Sequence, residues 1–355
     1  MDDRAGRITI KQIAETSGVS IGTVSRILGD KGGMHRSRTR ERVLQAAREL
    51  GYRTNTSARA MRSGSFRTVA LLLSRTDGVR SLLPIPLLDS LHDVLAEQGQ
   101  RLLVSRLPDE QLTDPTFVPD MLKVAAADGL LIKYDALIPP RLLELIAEYR
   151  IPAVRINSRH ATDCVYPDDF RAGQEAVAQL VALGHRRIVY IDLISAITTG
   201  KSDHYSGPDR FQGYLYAMRA HSLPPVILSP DPPLPSPHHW REYLRHRLPE
   251  ERKAGRITAV ITYNGLLAET LLIAAADAGI RIPQDLSLLA LGGGSVDHLG
   301  VSLTSLGIPY DEIGRQAVDM LLARIENPSL SLRPVAVPPC FIVGGTCLPV
   351  SSSSS

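Results

Sequence analysis

Residues 9–29 read TIKQIAETSGVSIGTVSRILG, and this stretch decides the fold of the amino-terminal segment. Thr9 is placed to cap a helix, and Gln12, three positions on, completes a capping box. Ile10, Ile13 and Ala14 recur at i, i+3 and i+4, the spacing of one helical face. Gly18 falls where this helix must stop and reverse, a position that favours positive φ. Ser20 caps a second helix, with Val24, Ile27 and Leu28 inward. That leaves Ile21, Gly22, Thr23, Ser25 and Arg26 facing outward. Two short helices joined by a tight turn, the second carrying small and polar groups, form a helix-turn-helix, which sets its second helix in a DNA major groove. The alternative is two ordinary amphipathic helices that say nothing about DNA, and the segments that follow decide against it.

Further along, a third helix is expected near Ser37–Leu50, within RTRERVLQAARELGY. Val43, Ala47 and Leu50 can pack on the first two helices, and Gly51 ends the third. Next comes the polar run from Asn55 through Ala58 and Met61 to Gly64, and a strand begins at Val69. This order of two-helix reader, third helix, Gly51-Tyr52-x-x-Asn55, short connecting segment and strand resembles the lac repressor family of bacterial transcription regulators. The resemblance continues, more weakly, to about residue 346.

The resemblance implies an all-α helix-turn-helix DNA-binding head (1–56), a hinge helix and linker (57–67), an α/β two-lobed periplasmic-binding-protein-like body (68–350) that binds effector and dimerises, and a tail (351–355). It implies DNA contacts from Thr9, Ser20, Ile21, Gly22, Thr23, Ser25, Arg26, Thr39, Tyr52, Asn55, Ala58 and Met61. Arg26 is expected to read a base, since a guanidinium matches guanine O6 and N7 bidentately. Ile21 can touch a thymine methyl, while Gly22 offers no side chain for readout. Met61 stands where the family places a leucine wedge between base steps; it is apolar, more flexible, and able to insert. Ala58 is small enough for close approach. The hinge spans about two turns, too short to be stable alone in water, so it is expected to become helical only on DNA.

Charge supports the division. Residues 1–67 hold 14 Lys and Arg against 6 Asp and Glu, a net of +8, whereas residues 68–355 hold 26 against 31, a net of −5. A basic head on an acidic body is the footprint of a phosphate-binding module. At roughly 290 residues the body suits two lobes rather than one core.

The body alternates short apolar runs with helical periods, as parallel α/β units do. Strands are expected at Val69–Leu73, Arg101–Ser105, Asp128–Ile132 and Ala153–Ile156, with a helix at Leu87–Gln98 ending at Gly99. The second lobe is expected to start near Val165. It holds helices at Phe170–Leu183, Arg210–Ala220 and Leu266–Ala278, and strands ending at Ile191, Thr262 and Leu291. Both lobes read as doubly wound open sheets, whose ligands bind beyond the carboxyl ends of the strands. The helix Ile313–Ile325 reads as a return to the first lobe, since the family's chain crosses between lobes more than once.

Other signals are quieter. No apolar run reaches about 18 residues, and the charged amino terminus lacks a secretory core, so a cytoplasmic protein is expected. Three scattered cysteines (Cys164, Cys340, Cys347) fit a reducing compartment, and their spacing suggests no zinc site. Seven prolines between Pro224 and Pro237 suggest an irregular surface loop. Gly292-Gly-Gly294 lacks the Lys-Ser/Thr of a phosphate cradle and reads as a loop. His238-His239-Trp240 leads into an amphipathic helix, with Trp240 docked on the core. The Leu348-Pro-Val-Ser ending carries no leucine heptads, which points to a dimer rather than a tetramer. No cofactor, metal or catalytic constellation is expected, and the chain does not read as an enzyme.

The effector site departs from the family pattern. In the family, effectors lie between the lobes, held by an Arg before a Gly-Tyr pair and by strand-end carboxylates. Arg210 in DRFQGY matches that Arg. Asn264-Gly265 replaces the family's Asn-Asp, Ala290-Leu291-Gly292-Gly293 replaces Gly-aromatic-Asp-Asp, and Asn157 follows Ile156 where Asp is usual. A family Arg near the carboxyl terminus is replaced within Val343–Thr346. With Lys133 and Arg155 near strand ends, the expected effector residues are Arg210, Asn264, Asn157, Lys133 and Arg155. One reading is a cleft poor in negative charge that suits an anionic or weakly polar effector, with an acidic metabolite as the working hypothesis; the second is a site that has decayed or moved; the third, a carboxylate-lined sugar site, is the one these residues favour least. Two further functions stay open here. A free periplasmic-type sugar binder would need a signal peptide and would lack residues 9–64. An effector-independent DNA binder would keep its operator affinity whatever metabolites are present.

Overall fold

The computed structural model describes residues 8–29, 37–53, 64–74, 83–123, 126–135, 137–194, 204–293 and 300–350. Asn55, Ala58, Met61, Gly294 and the tail lie outside the described residues, as does the expected hinge helix up to residue 63. The chain falls into two compact units, 1–67 and 68–355.

In the first unit, α1 (Ile10–Ser17), α2 (Ile21–Leu28) and α3 (Ser37–Glu49) enclose a small core. Ile13, Val24 and Val43, one from each helix, are completely buried, and Ala14, Ile27, Ala46 and Ala47 surround them. The expected Leu50 and Leu28 are half-buried at its margin. Gly18 (φ 65) and Gly51 (φ 65) both adopt the left-handed conformation required of them.

The second unit begins with β1 (Thr68–Ser74), α4 (Ile85–Glu97), β2 (Arg101–Leu107), a short α5 (Asp120–Lys123), β3 (Gly129–Lys133), α6 (Pro140–Glu148), β4 (Ala153–Ile156) and β5 (Cys164–Pro167). There follow α7 (Asp169–Ala182), β6 (Ile188–Ile191), α8 (Ser206–Ala220), β7 (Val226–Leu228), α9 (Pro237–Lys253), β8 (Ala259–Thr262), α10 (Gly265–Asp277) and β9 (Ser287–Leu291). The chain ends with β10 (Thr304–Gly307), α11 (Tyr310–Glu326), β11 (Val335–Val337) and β12 (Cys340–Ile342).

Two six-stranded sheets result, ordered β11-β5-β4-β3-β1-β2 and β12-β10-β9-β8-β6-β7. All neighbours are parallel except β12, which runs antiparallel to β10. Parallel strands with helices on both faces must bury both sets of side chains, and β1 shows it. Val69, Leu71 and Leu73 enter one core with α4 and α11, while Ala70 and Leu72 enter another with α6. The second sheet divides the same way: Val189 and Ile191 lie on one side, Ile188 and Tyr190 on the other.

As expected, α11 returns to the first lobe, where Ile313, Ala317 and Leu321 pack with Val69 and Leu91. Trp240 docks as expected: it is 6% exposed, and its indole N–H donates to the Leu234 carbonyl at 2.8 Å.

Two expectations are corrected. Val165 does not open the second lobe. It lies in β5, which pairs with β4 and β11 in the first sheet, and the crossing occurs at Asp168, whose side chain caps α7 by accepting from Arg171 N at 3.0 Å. A four-residue strand is too short to show its own period, and its partner β11 lies far along the sequence. The proline-rich segment is not wholly irregular either. Val226–Leu228 forms β7, an edge strand on which flanking prolines cost no ladder bonds.

Candidate DNA interface and effector cleft

Local chemistry fixes the geometry of the reading head. Thr9 N donates to Gln12 Oε1 at 2.8 Å, and Gln12 N donates to Thr9 Oγ1 at 3.4 Å, so the capping box is formed. Ser20 Oγ accepts from Thr23 N at 3.2 Å and caps α2. The hydroxyls of Thr9 and Ser20 therefore already hold helix ends, whatever else they meet. With Val24 and Ile27 buried, α2 presents Ile21 (53% exposed), Gly22 and Arg26 to solvent, and Thr23 and Ser25 are half-buried beside them. Arg26 Nε donates to the Gly22 carbonyl at 3.2 Å, which lays the guanidinium along the exposed face. A Cβ added at Gly22 would meet only Ser20 Oγ, at 3.9 Å. Packing does not demand this glycine, though a helical glycine costs about 1 kcal/mol against alanine. Thr39 is half-buried in the first turn of α3. Tyr52 packs at the edge of the core, its N–H donating to the Ala47 carbonyl at 2.8 Å.

In the body, a cleft of about 260 Å³ opens at the carboxyl ends of the strands, where β3 and β4 of one lobe face β8 and β9 of the other. Arg210, Asn264, Asn157 and Lys133 all line it, together with Asp135, His204, Ser206, Tyr263 and Tyr310. Arg155 does not. It lies within β4 rather than at its end, and its guanidinium donates to the Thr162 carbonyl at 2.5 Å, against a separate cavity.

The cationic members of the cleft are compensated. Arg210 is 5% exposed; its Nε donates to Asp169 Oδ1 at 2.6 Å, its Nη1 donates to the Tyr263 carbonyl at 2.7 Å, and its guanidinium lies over the Tyr263 ring. Burial opposes this charge, but Asp169 and Tyr263 hold the guanidinium's pKa above its ordinary value. Gly292 (φ 61) approaches so closely that a Cβ there would lie 2.9 Å from Arg210 Nη2. Lys133 is buried and bonded to Asp135 Oδ1; burial lowers its pKa, and Asp135 opposes that shift. Missing carboxylates at residues 265, 292 and 293 suggest a cleft poor in negative charge, yet Asp135 lines it and the buried Asp169 pairs with Arg210, so both of its cations are already matched. That premise of the sequence reading is corrected.

Polar links run within the first lobe and across to the second. Asn157 (φ 58) donates from Nδ2 to Asp135 Oδ1 at 3.2 Å, and its carbonyl accepts from His204 Nε2 at 2.8 Å. A carbonyl only accepts, so His204 carries its proton on Nε2, and burial lowers its pKa. Its Nδ1 meets Ser206 Oγ at 2.8 Å, and Ser206 Oγ lies 3.0 Å from the Tyr263 hydroxyl. Asn264 Oδ1 accepts from Leu267 N at 2.9 Å and caps α10, and the residue lines the cleft. Sequence reasoning missed Asp135, Asp169, His204, Ser206, Tyr263 and Tyr310. Only Asp135 carries a local signal, two residues beyond Lys133 at a strand end.

Comparison with known proteins agrees with this geometry. Residues 9–55 match the bacterial regulatory proteins of the lacI family, and residues 177–347 match the periplasmic binding protein-like domain. The chain is 26% identical over 343 residues to the HTH-type transcriptional repressor PurR of Klebsiella pneumoniae (strain 342), covering 94% of this chain and 95% of that protein. It is 28% identical over 351 residues to the HTH-type transcriptional regulator PtxS of Pseudomonas aeruginosa, covering 97% of each. A crystal structure of the lac repressor dimer bound to operator and the anti-inducer ONPF shares the fold. Its TM-score is 0.74 at 20% identity, over 97% of this chain and 100% of that one.

A helix-turn-helix head on a two-lobed binding body, with relatives matched end to end, defines a DNA-binding transcription regulator, not an enzyme. Its head is a lacI-family regulatory domain, its body a periplasmic binding protein-like domain, and both stand in the same order as in these regulators.

Among the described residues no helix is long and apolar enough to cross a membrane.

Proposed function

We propose that this regulator represses transcription in the cytoplasm as a homodimer, each subunit reading half of a near-palindromic operator, and that a small effector between the lobes alters its grip. In this reading residues 1–56 contact DNA, 57–67 act as the hinge, and 68–350 sense and dimerise. The observation that carries it is α2, a doubly capped helix whose buried face is fully used and whose free face offers Ile21, Gly22 and Arg26. Arg26→Ala is expected to cost about 1–3 kcal/mol of operator affinity and to relax preference at one position per half-site. Binding of a randomised operator library measures this. A uniform loss across all sequences, with the salt slope reduced by about one, would make Arg26 a phosphate contact instead.

Exposed apolar side chains support a dimer. Leu103 and Val104 lie on β2, the open edge of the first sheet, Ile85 begins α4 at 71% exposed, and Leu266 and Ile273 emerge from α10. Unpaired edges and apolar faces of this kind invite a partner copy. Light scattering on the full chain is expected to give two subunits; one subunit at micromolar concentration would overturn the dimer.

The compensated charges of the cleft favour a neutral, hydrogen-bonding effector over the acidic metabolite suggested by the sequence. An acid would have to compete with Asp169 for Arg210 and with Asp135 for Lys133, whereas Asn157, Asn264, Ser206 and Tyr263 offer uncharged donors and acceptors. A thermal-shift screen should show stabilisation by neutral polyols or sugars, reaching about 2.7 kcal/mol at a hundred times Kd. The same compound should change operator affinity at least about fivefold, since differential binding to two lobe arrangements is what couples the sites. Stabilisation by sugar acids or sugar phosphates alone would restore the anionic reading, and stabilisation by nothing would favour the decayed site.

A further inference from the structure

The body holds a second cavity, roomier than the cleft between the lobes. It measures about 550 Å³ and lies at the opposite end of the first sheet, where β4 begins at Ala153. Leu143, Ile146, Ala147 and Ile151, along and just after α6, give it an apolar wall. Its polar wall carries three guanidinium groups, Arg150, Arg155 and Arg324, against a single carboxylate, Asp163.

That carboxylate is fully used. Asp163 Oδ1 accepts from Leu332 N at 2.9 Å, and Oδ2 accepts from Thr162 Oγ1 at 2.9 Å and pairs with Arg324 Nη1 at 3.0 Å. One cation is thereby neutralised and two remain. Arg324 also donates to the Ala153 carbonyl at 2.9 Å, and Arg155 to the Thr162 carbonyl at 2.5 Å. The Nε atoms of Arg155 and Arg324 are buried without a hydrogen-bond partner. The Arg150 backbone N–H donates to the Ala147 carbonyl at the end of α6, but among the described residues no hydrogen bond joins any of the three guanidinium groups to the terminal carbonyls of α6 or α11. Burial and the neighbouring Arg324 both push the pKa of Arg155 down, though nearby Asp163 partly offsets them. An arriving anion would relieve the clustered positive charge, at a place where arginine forks match carboxylates in geometry.

We propose that this cavity is a second ligand site, separate from the inter-lobe cleft, for a small organic anion with an apolar body, such as an aromatic carboxylate. The acid group faces the arginines and the ring lies along α6. The volume falls within the range of sites that enclose whole small molecules, and a bare inorganic ion would leave the apolar wall uncovered.

Ligand-observed ¹⁹F NMR on the full-length protein tests this, using 4-fluorobenzoate as probe, with 4-fluorobenzyl alcohol and inorganic phosphate as comparators. Saturable binding of the carboxylate is expected, at least about tenfold tighter than the alcohol. Arg155→Gln should weaken it about tenfold and the exposed Arg150→Gln about threefold. Ala147→Phe, a substitution at an exposed helical position that pushes a ring into the cavity, should abolish it. Equal binding of the alcohol, phosphate binding as tight as the carboxylate, carboxylate binding untouched by all three substitutions, or no binding at 20 mM would each overturn the proposal.

Discussion

Gly213→Ala is expected to destabilise the body by about 3 kcal/mol or more, and Gly173→Ala by a similar amount. An exposed helical glycine normally gains up to about 1 kcal/mol on becoming alanine, so the expected sign is reversed. The reason is geometric. A Cβ at Gly213 would lie 2.0 Å from the Phe170 carbonyl oxygen and 3.1 Å from Gln174 N. A Cβ at Gly173 would lie 2.1 Å from the Arg210 carbonyl oxygen and 2.8 Å from Tyr214 N. These obstacles are backbone atoms inside hydrogen-bonded helices, not the ends of side chains that can swing aside. The two glycines face each other where α7 and α8 cross, and a methyl on either forces the helices apart. Overpacking typically costs 1–3 kcal/mol when side chains can adjust, and here the backbone must move, which places the cost at or above the upper end. Ala176, Val177, Tyr214 and Ala217 share that interface and would lose contact together. Because α8 also carries Arg210, the same methyl disturbs the cleft. Urea unfolding followed by far-UV circular dichroism measures the effect. A midpoint shift equivalent to less than about 1 kcal/mol for both variants would show that these helices slide apart freely.

The head is legible because its decisive signals are local. Thr9 and Gln12 are three residues apart, Ser20 and Thr23 likewise, and Gly18 needs only its own φ. The body's strands are legible where they are buried on both faces, as in Val69–Leu73, since a continuous apolar run is itself the signal. Legibility fails where a partner is distant in sequence. β5 is four residues long, and its second neighbour, β11, arrives about 170 residues later. β10 and β12 go unread for the same reason, and β7 hides among prolines. The cleft shows the same limit. Arg210, Asn157 and Asn264 come from the family resemblance and Lys133 from its place near a strand end, but the state of Arg210 depends on Asp169, 41 residues before it, and on the approach of Gly292. Arg155 illustrates the converse error. It sits one residue before Ile156 and two before Asn157, close to a strand end in number, yet its side chain is bonded to Thr162 and belongs to a different cavity.

Arg210→Ala is expected to cost about 3–5 kcal/mol of stability, because it strands the Asp169 carboxylate, 2% exposed, without its counter-charge. Asp169→Ala should be costly for the mirror reason, leaving a buried guanidinium bonded to the Tyr263 carbonyl but without its carboxylate partner. Most of either loss measures an uncompensated charge rather than the net worth of the pair. Removing both charges together separates the two quantities. The double variant Asp169→Leu with Arg210→Met replaces the ions by apolar groups of comparable reach, and such exchanges are often close to neutral. It should therefore recover most of the stability lost by either single variant, giving a coupling energy of roughly 3 kcal/mol in a double-mutant cycle. Stability and function should then part company. The cleft of the double variant keeps its walls but loses the guanidinium that fixes the Tyr263 carbonyl and packs beneath Gly292, so effector binding and any effector-dependent change in operator affinity should remain lost while operator binding itself persists. Chemical unfolding reads the first expectation and operator titration with and without effector reads the second. Simple additivity of the two single losses would mean that Arg210 and Asp169 act independently, and a double variant that still responds to effector would show that the pair supports the fold alone.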